Sequence, residues 1–237
     1  MFEQWKEDID AVMARDPAAK SRLEVLLCYP GLKAIRAHRR AHKAYQKGHM
    51  LLARIISQRA KHKTGIEIHP GAVIGKGFFI DHGDGVVIGE TTVIGDNVTL
   101  YQGVTLGGTG KDTGKRHPTI GSGVTVGAGA KVLGPITIGD RSKVGAGSIV
   151  LKDVPPDCTV VGNPGRIVRR KSPAPAIDLD HGNLPDPMLE KMQALYTRLS
   201  HMEQCLARRA REMGCAECAE GCPICEDIKN DHNDTEE

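Results

Sequence analysis

The sequence contains few aromatic residues: only 3% of its 237 residues are Phe, Trp or Tyr. Glycine, by contrast, occurs 28 times. A core without aromatic rings has to be filled by Ile, Val, Leu and Ala, and this much glycine indicates a backbone that turns tightly and often. A chain of this length can bury such a core in one large domain without disulfide bonds.

Two other absences exclude classes of protein. No segment approaches the roughly 20 consecutive apolar residues of a membrane span, and the first fifteen residues carry four acids and no apolar run, so we expect no signal peptide. The formal charge is only +3, and the basic run 36–47 is interpreted as the solvated face of a helix. We therefore expect a cytoplasmic protein that binds neither membrane nor nucleic acid, with its seven cysteines reduced or bound to metal.

The first part of the chain has the apolar spacing of helices. Apolar residues recur every three or four positions from Phe2 to Ile56. Helix-breaking sequences stand at Asp16-Pro17, at 29–31 and at Lys47-Gly48. The pattern predicts a helical domain over residues 1–64, a bundle of three or four helices.

After Gly65 the period changes to six. The aliphatic positions are Ile68, Ile74 and Ile80, then Ile88, Ile94, Leu100 and Leu106, then Ile120, Val126, Val132, Ile138, Val144 and Val150. Glycine follows most of them. A repeated aliphatic-Gly-x-x-x-x unit predicts a parallel β-helix over residues 65–168, in which each unit forms one short strand and three units form one coil.

The six-residue register slips twice. Between Ile80 and Ile88 the step is eight, so two residues are inserted around His82. Between Leu106 and Ile120 the step is fourteen, which predicts a polar loop that leaves the β-helix. Insertions in a solenoid gather on a binding face. We therefore predict a functional site near His82 and near the loop that contains Arg116.

Past residue 168 the repeat ends. Residues 169–187 read as a Pro-rich linker and residues 188–213 as a helix. Its apolar residues follow a heptad seam: Met188, Met192, Leu195, Leu199, Met202 and Leu206. The seam predicts either a coiled coil of three chains or a helix that packs on its own domain.

The segment 214–237 is a Cys-rich tail. It contains two CxxC pairs, formed by Cys215, Cys218, Cys222 and Cys225. Thiolates at this spacing can converge on one tetrahedral metal, with zinc favoured over an iron–sulfur cluster. The alternative is a tail of free, redox-active thiols.

Several segments together resemble the bacterial serine O-acetyltransferases. They are IHPGAVIGKG, FIDHGDGVVIGET, TLGGTGK, KRHPTIG, VGAGAKVLG and GNPGRIV, behind a helical N-terminal domain. The resemblance runs from about Asp8 to Arg170. It implies an α+β fold, in which an N-terminal helical bundle precedes a left-handed parallel β-helix assembled as a homotrimer or a dimer of trimers. It also implies acetyl transfer from acetyl-CoA to the hydroxyl of L-serine, giving O-acetyl-L-serine for cysteine biosynthesis, with L-cysteine as feedback inhibitor.

The resemblance also implies roles for single residues. His82 would be the general base, oriented by Glu67, which stands where the family usually has aspartate. Arg116 and His117 would face the serine carboxylate. The remaining implied contacts are Asp16 and Asp81 to the serine ammonium group, and Gly108, Thr109, Gly127, Ala128 and Lys143 to acetyl-CoA.

Three other interpretations compete with this one. An acyltransferase of the same fold could act on a sugar or an antibiotic, but it would not need the acidic and basic groups suited to an amino acid. A zinc hydratase of the γ-carbonic anhydrase type needs three histidines, and none occurs between His117 and His181. A scaffolding solenoid would not need the two polar insertions. The family's complex with O-acetylserine sulfhydrylase uses a C-terminal isoleucine, whereas this sequence ends in Glu237, so we do not expect that complex.

Overall fold

The computed structural model describes residues 2–110, 113–169 and 187–212, in two units, Met1–Pro185 and Asp186–Glu237. The first unit begins with α1 (Phe2–Arg15), α2 (Arg22–Cys28), α3 (Pro30–Gln46) and α4 (Met50–Thr64). Helix α3 starts at Pro30, where a missing N–H removes no hydrogen bond. Helix α4 ends at Gly65, whose left-handed φ of 70° closes the helix. These ends match the predicted breaks.

Fifteen short strands follow within the described residues. They are β1 (Glu67–Ile68), β2 (Val73–Ile74), β3 (Phe79–Ile80), β4 (Val87–Ile88), β5 (Val93–Ile94), β6 (Thr99–Leu100), β7 (Thr105–Gly107), β8 (Thr119–Ile120), β9 (Thr125–Val126), β10 (Lys131–Leu133), β11 (Thr137–Ile138), β12 (Lys143–Val144), β13 (Ile149–Val150), β14 (Cys158–Val161) and β15 (Arg166–Arg169). They form three sheets, in the orders β1-β4-β7-β10-β13, β11-β8-β5-β2 and β15-β14-β12-β9-β6-β3. We name these the first, second and third face. From β1 to β13 successive strands visit the three faces in turn, which is the predicted β-helix.

The strand pairing shows where residues were inserted. An uninterrupted coil has eighteen residues, as between Val87 and its partner Thr105. Glu67, however, pairs with Val87, twenty residues on, and Thr105 pairs with Lys131, twenty-six residues on. The first coil thus carries two extra residues and the third carries eight. Strand β15 pairs antiparallel with β14, a reversal that the six-residue period did not predict.

Helix α3 joins the helices to the β-helix core. Ala34 and Ile35 of α3 belong to the same buried cluster as Ile66, Ile68 and Phe78. A second cluster contains Val12, Val25, Leu32 and Phe79 and anchors α1 and α2 to the first coil. The helices are therefore held in place by apolar burial against β-strands, which fixes where their polar ends lie.

The second unit contains one described helix, α5 (Pro187–Glu212). Met192, Leu195, Leu199, Met202 and Leu206 of the predicted seam are each more than half exposed. Among the described residues, no helix is long and apolar enough to cross a membrane.

Candidate active site

The predicted site residues gather at two corners of the β-helix. The corner between the third and first faces contains residues 81–86, 101–104, 127–130 and 145–148, and we call it the His82 corner. The corner between the first and second faces contains residues 89–92, 108–110 and 113–118 and is called the Arg116 corner. Each predicted insertion lies at one of them.

The two extra residues of the first coil place His82 outside the wall of the β-helix. Gly103 N donates to Asp84 O at 2.8 Å, so Asp84 occupies the level of Gln102 in the next coil, and His82 and Gly83 are the additional residues. Gly83 turns inwards, where a Cβ would lie 2.5 Å from Ile66 Cδ1. His82 turns outwards with a φ of 55°, a region that residues other than glycine seldom adopt. Its imidazole is exposed and receives no hydrogen bond from any described side chain.

Two carboxylates and two tyrosines meet next to this corner. The Tyr29 hydroxyl donates to Asp16 Oδ2 at 2.5 Å. Burial, this hydrogen bond and the negative charges of Asp16 and Asp81 raise the pKa of Tyr29. Burial and the charges of Asp81 and Asp16 also raise the pKa of Tyr101. Because both carboxylates act on both tyrosines, Asp16 and Asp81 form one negative site that suits a cationic group.

Asp16 also has a structural role. Its Oδ1 accepts a hydrogen bond from Ala18 N at 2.8 Å, which closes the turn after α1. One carboxylate oxygen therefore holds the turn while the other is held by Tyr29.

Glu67 makes a different contact from the one that the resemblance implies. Its carboxylate forms an ion pair with Lys61 Nζ at 2.5 Å, and the described residues include no hydrogen bond between Glu67 and His82. Lys61 lies in the last turn of α4, so this pair connects the helix to β1.

At the other corner, Arg116 is held by an acid and a tyrosine. Arg116 Nη2 lies 2.5 Å from Glu90 Oε2, and the Tyr45 hydroxyl donates to Glu90 Oε1 at 3.2 Å. The hydrogen bond from Arg116 is the largest cause of a lowered pKa at Glu90. Glu90 is therefore ionised at neutral pH and fixes the guanidinium.

His117 lies next to Arg116 and is almost fully buried. The Thr91 hydroxyl accepts hydrogen bonds from the backbone N–H groups of Arg116 and His117, so its own proton goes to His117 Nδ1 at 2.9 Å. Thr91 N also donates to Nδ1. The neutral ring therefore carries its proton on Nε2. Burial lowers the pKa of His117, and the charge of Arg116 lowers it further.

Two glycines make room for this ring. A Cβ on Gly89 would overlap the His117 imidazole, and one on Gly108 would lie 3.1 Å from Nε2. The Nε2–H group thus lies next to glycine backbone that carries no side chain, which leaves room for it to donate a hydrogen bond to an anion. Arg116 and His117 together form a site suited to a carboxylate.

Four of the five residues implied for acetyl-CoA are divided between the same two corners. Gly108 and Thr109 lie at the Arg116 corner, whereas Gly127 and Ala128 lie at the His82 corner. Lys143 is on β12 of the third face, and only 7% of its surface is exposed.

No group of three or more His, Cys, Asp or Glu side chains within the described ranges is arranged to hold a metal ion. The four cysteines of the predicted metal site, from Cys215 to Cys225, lie outside the described residues.

Comparison with known proteins identifies the family. Residues 1–37 match the family description "Serine acetyltransferase, N-terminal" and residues 117–152 match "Bacterial transferase hexapeptide (six repeats)". A serine acetyltransferase of Bacillus licheniformis is 56% identical over 211 residues, which cover 89% of this chain and 98% of that protein. The chain belongs to the serine acetyltransferase family.

Solved structures of serine acetyltransferases have the same fold. That of Brucella abortus, in complex with coenzyme A, has a TM-score of 0.70 and 46% identity and covers 72% of this chain and 70% of its own. The soybean serine acetyltransferase complexed with serine has a TM-score of 0.69 and 51% identity, covering 70% of this chain and 68% of its own.

Sequence reasoning missed four residues at the two corners: Tyr29, Tyr101, Glu90 and Tyr45. Tyr101 could have been found from the repeat, because Ile80 pairs with Leu100 and so places Asp81 at the level of Tyr101. Glu90 lies within GVVIGET, a segment that carries the resemblance to the serine acetyltransferases. Tyr29 and Tyr45 come from helices, whose packing the period does not describe.

Proposed function

We propose that this chain transfers the acetyl group of acetyl-CoA to the hydroxyl of L-serine with His82 as general base, giving O-acetyl-L-serine for cysteine biosynthesis. The observation that carries the proposal is the outward projection of His82 beside the carboxylates of Asp16 and Asp81. Membership of the serine acetyltransferase family, and relatives solved with serine and with coenzyme A, support the two substrates.

A serine hydroxyl is a weak nucleophile, so its proton has to be removed as it attacks the thioester carbonyl. The His82 imidazole takes that proton while the serine oxygen bonds to the carbonyl carbon. Collapse of the tetrahedral intermediate breaks the carbon–sulfur bond, and the imidazolium returns the proton to the departing thiolate. An imidazole without an internal hydrogen bond is free to do both. In this proposal the charge of Glu67 stabilises the imidazolium. When substrates bind, the Glu67 carboxylate leaves its ion pair with Lys61 and bonds to His82.

Serine is a zwitterion, and its two charged ends match the two corners. Asp16 and Asp81 would bind the ammonium group, and Arg116 and His117 the carboxylate. Within one chain these groups are far apart, because Tyr29 bonds to Asp16 at one end of α3 and Tyr45 bonds to Glu90, the partner of Arg116, at the other end. Sixteen residues of helix separate the two tyrosines by about 24 Å. One serine molecule cannot bridge this distance.

The active site therefore combines the His82 corner of one chain with the Arg116 corner of another. We propose a homotrimer of left-handed β-helices, in which a closed ring of three chains forms three equivalent sites. Acetyl-CoA would lie in the same groove, since four of its five implied contacts are divided between the same two corners. Two such trimers could pair into a hexamer.

The first experiment tests the reaction. The purified chain is mixed with acetyl-CoA and L-serine, and the loss of thioester absorbance is followed, which avoids thiol reagents that would respond to the cysteines. Serine-dependent turnover is the expected result. Turnover on another hydroxyl or amine acceptor, without turnover on serine, would overturn the substrate.

A second experiment tests the shared site. His82→Ala chains and Arg116→Ala chains, each inactive by itself, are co-expressed so that they assemble together. If the two corners come from different chains, random mixing restores about a quarter of the wild-type activity, because one interface in four pairs two intact corners. A site built within one chain would stay inactive in the mixture.

Two further features remain proposals. L-cysteine would inhibit by occupying the serine site, since it presents the same ammonium and carboxylate groups.

The Cys-rich tail would bind one zinc ion through its two CxxC pairs. Metal analysis of the intact protein tests the proposed metal site. If the protein contains neither zinc nor iron while all its thiols are reduced, the metal site is contradicted.

A further inference from the structure

The helical pair α3–α4 carries an unusual concentration of charge. Between residues 30 and 64 the chain has ten Lys or Arg residues and no Asp or Glu. Because the whole chain has a formal charge of +3, the remainder carries −7. Surface helices ordinarily mix the two signs, with acid–base pairs three or four residues apart. Here no such pair can form within the two helices, so the like charges repel one another.

Four of these cations converge on one groove between the two helices. Lys33 and Arg40 line it from α3, and Arg59 and Lys63 line it from α4. The groove has a volume of about 370 Å³. Its other lining residues are Ala37, Ile56, Ala60 and Thr64, and the two alanines are small enough to leave the space between the helices open.

These four side chains differ from three other cations of the same helices. Arg39 forms an ion pair with Asp8, Lys61 pairs with Glu67, and Arg36 stacks on the Trp5 ring. Within the part of the chain that the structure describes, the four groove cations make no ion pair and no hydrogen bond. Only Arg40 of the four lies within the basic run 36–47, so the interpretation of that run as a solvated face does not explain why four cations of two helices line one concave space.

The chemistry of the lining restricts the ligand. Four cations and no acid favour an anion with several charges close together. No aromatic ring lines the groove, so a nucleic acid base would find no stacking partner there. Each wall of the groove supplies one guanidinium and one ammonium group. This arrangement suits a short chain of phosphate groups, which arginine binds through paired hydrogen bonds and lysine binds as a point charge.

We propose that the α3–α4 groove is a binding site for a polyphosphate group, separate from the acetyl-CoA site. The phosphates come either from an inorganic polyphosphate or from a nucleotide whose base projects into solvent. The site lies outside both active-site corners, so it does not depend on the proposed acetyl transfer.

The test measures binding of inorganic tripolyphosphate to the full chain by calorimetry, without either substrate. We expect saturable binding with one site per chain. Replacing one cation on each helix, in the double variant Arg40→Gln/Arg59→Gln, is expected to weaken binding at least about ten-fold. A second pair, Lys33→Gln/Lys63→Gln, should give a similar loss, and neither should lower the melting temperature, since each removes repulsion.

The matched control is Lys43→Gln/Lys47→Gln, which removes the same charge from the end of α3 and the residue that caps it but lies outside the groove lining. It should bind tripolyphosphate like the wild type. An equal loss in the control would mean diffuse attraction to a basic surface and would overturn the site, as would an absence of saturable binding.

ATP and coenzyme A distinguish the sources of the phosphates. Equal affinity for ATP and tripolyphosphate supports recognition of the phosphate chain alone. Displacement of tripolyphosphate by coenzyme A, with a raised KM for acetyl-CoA in Arg40→Gln/Arg59→Gln, would assign the groove to the acetyl-CoA site and overturn the proposal.

Discussion

The two corners of the β-helix are built in opposite ways. At the His82 corner two extra residues push one imidazole into solvent, with a left-handed backbone and no described hydrogen bond to the ring. At the Arg116 corner the insertion is eight residues long, and Glu90 and Thr91 fix the side chains of Arg116 and His117 that follow it. A group that has to exchange protons needs a free nitrogen, whereas a group that binds a charge gains from being held in place.

Replacing His82 by alanine should have the largest effect, and the effect should be on catalysis. We expect kcat to fall by about 10²–10⁴, while the KM for serine changes little because the Arg116 corner is intact. Steady-state kinetics with both substrates varied, and a melting curve as folding control, measure this. A loss that appears mainly in the KM for serine would mean that His82 binds substrate and is not the base.

The Arg116 corner should respond to a single methyl group. In Gly89→Ala the new Cβ would overlap the buried ring of His117, so we expect the KM for serine to rise by about 10–100-fold through misplacement of that ring. Gly114→Ala is the control in the loop of the same corner, because a Cβ there meets nothing within 4 Å. Equal kinetics for the two variants would contradict the packing argument.

Glu90 and Tyr45 should act on serine binding through Arg116. Glu90→Gln keeps the shape but removes the charge, and because this ion pair is partly exposed we expect a rise of only several-fold in the KM for serine. Tyr45→Phe should give a smaller change in the same direction. The KM for acetyl-CoA and kcat should stay near wild type, and a fall in kcat alone would show that Glu90 does not act by positioning Arg116.

The last effect is on stability in acid and leaves the chemistry of the two corners untouched. Burial lowers the pKa of His38 on α3 to about 3, from a reference value of 6.5. Between these values the unfolded chain binds a proton that the folded chain does not, so stability falls as the pH drops below about 6.5. From pH 7 to pH 5 the loss is about 2 kcal/mol.

Denaturant unfolding at pH 7 and pH 5 measures this loss. The variant His38→Gln should lose less stability over the interval than the wild type. His62→Gln, at an exposed position of α4, should keep the wild-type dependence. If His38→Gln and the wild type lose the same amount, His38 is not the group responsible.

Much of the fold could be predicted from the sequence because the period of six is a geometric constraint. An aliphatic residue at each sixth position fixes which side chain fills the core, and a step of eight or fourteen marks an insertion wherever it occurs. His82 and Arg116 were marked as candidates by this means. The reversal at β15 was not, because the antiparallel pairing of Val161 with Arg166 depends on a tight turn outside the repeat.

The contacts that the helices make with the strands and with one another could not be predicted, for a related reason. Glu67 pairs with Lys61 because α4 runs directly into β1, and Tyr29 reaches Asp16 because α2 folds back on α1. Such contacts depend on the relative orientation of packed elements. No local period encodes that orientation.

The sequence by itself determined the family, the β-helix and the positions of both insertions, since each of these depends on spacing along the chain. Only the tertiary structure decided that the acidic and the basic halves of the candidate site lie at opposite ends of α3. It also decided that four unpaired cations share one groove. The physical reason is the same in both cases: the distance between side chains is set by how helices pack against the strands, and apolar burial decides that packing.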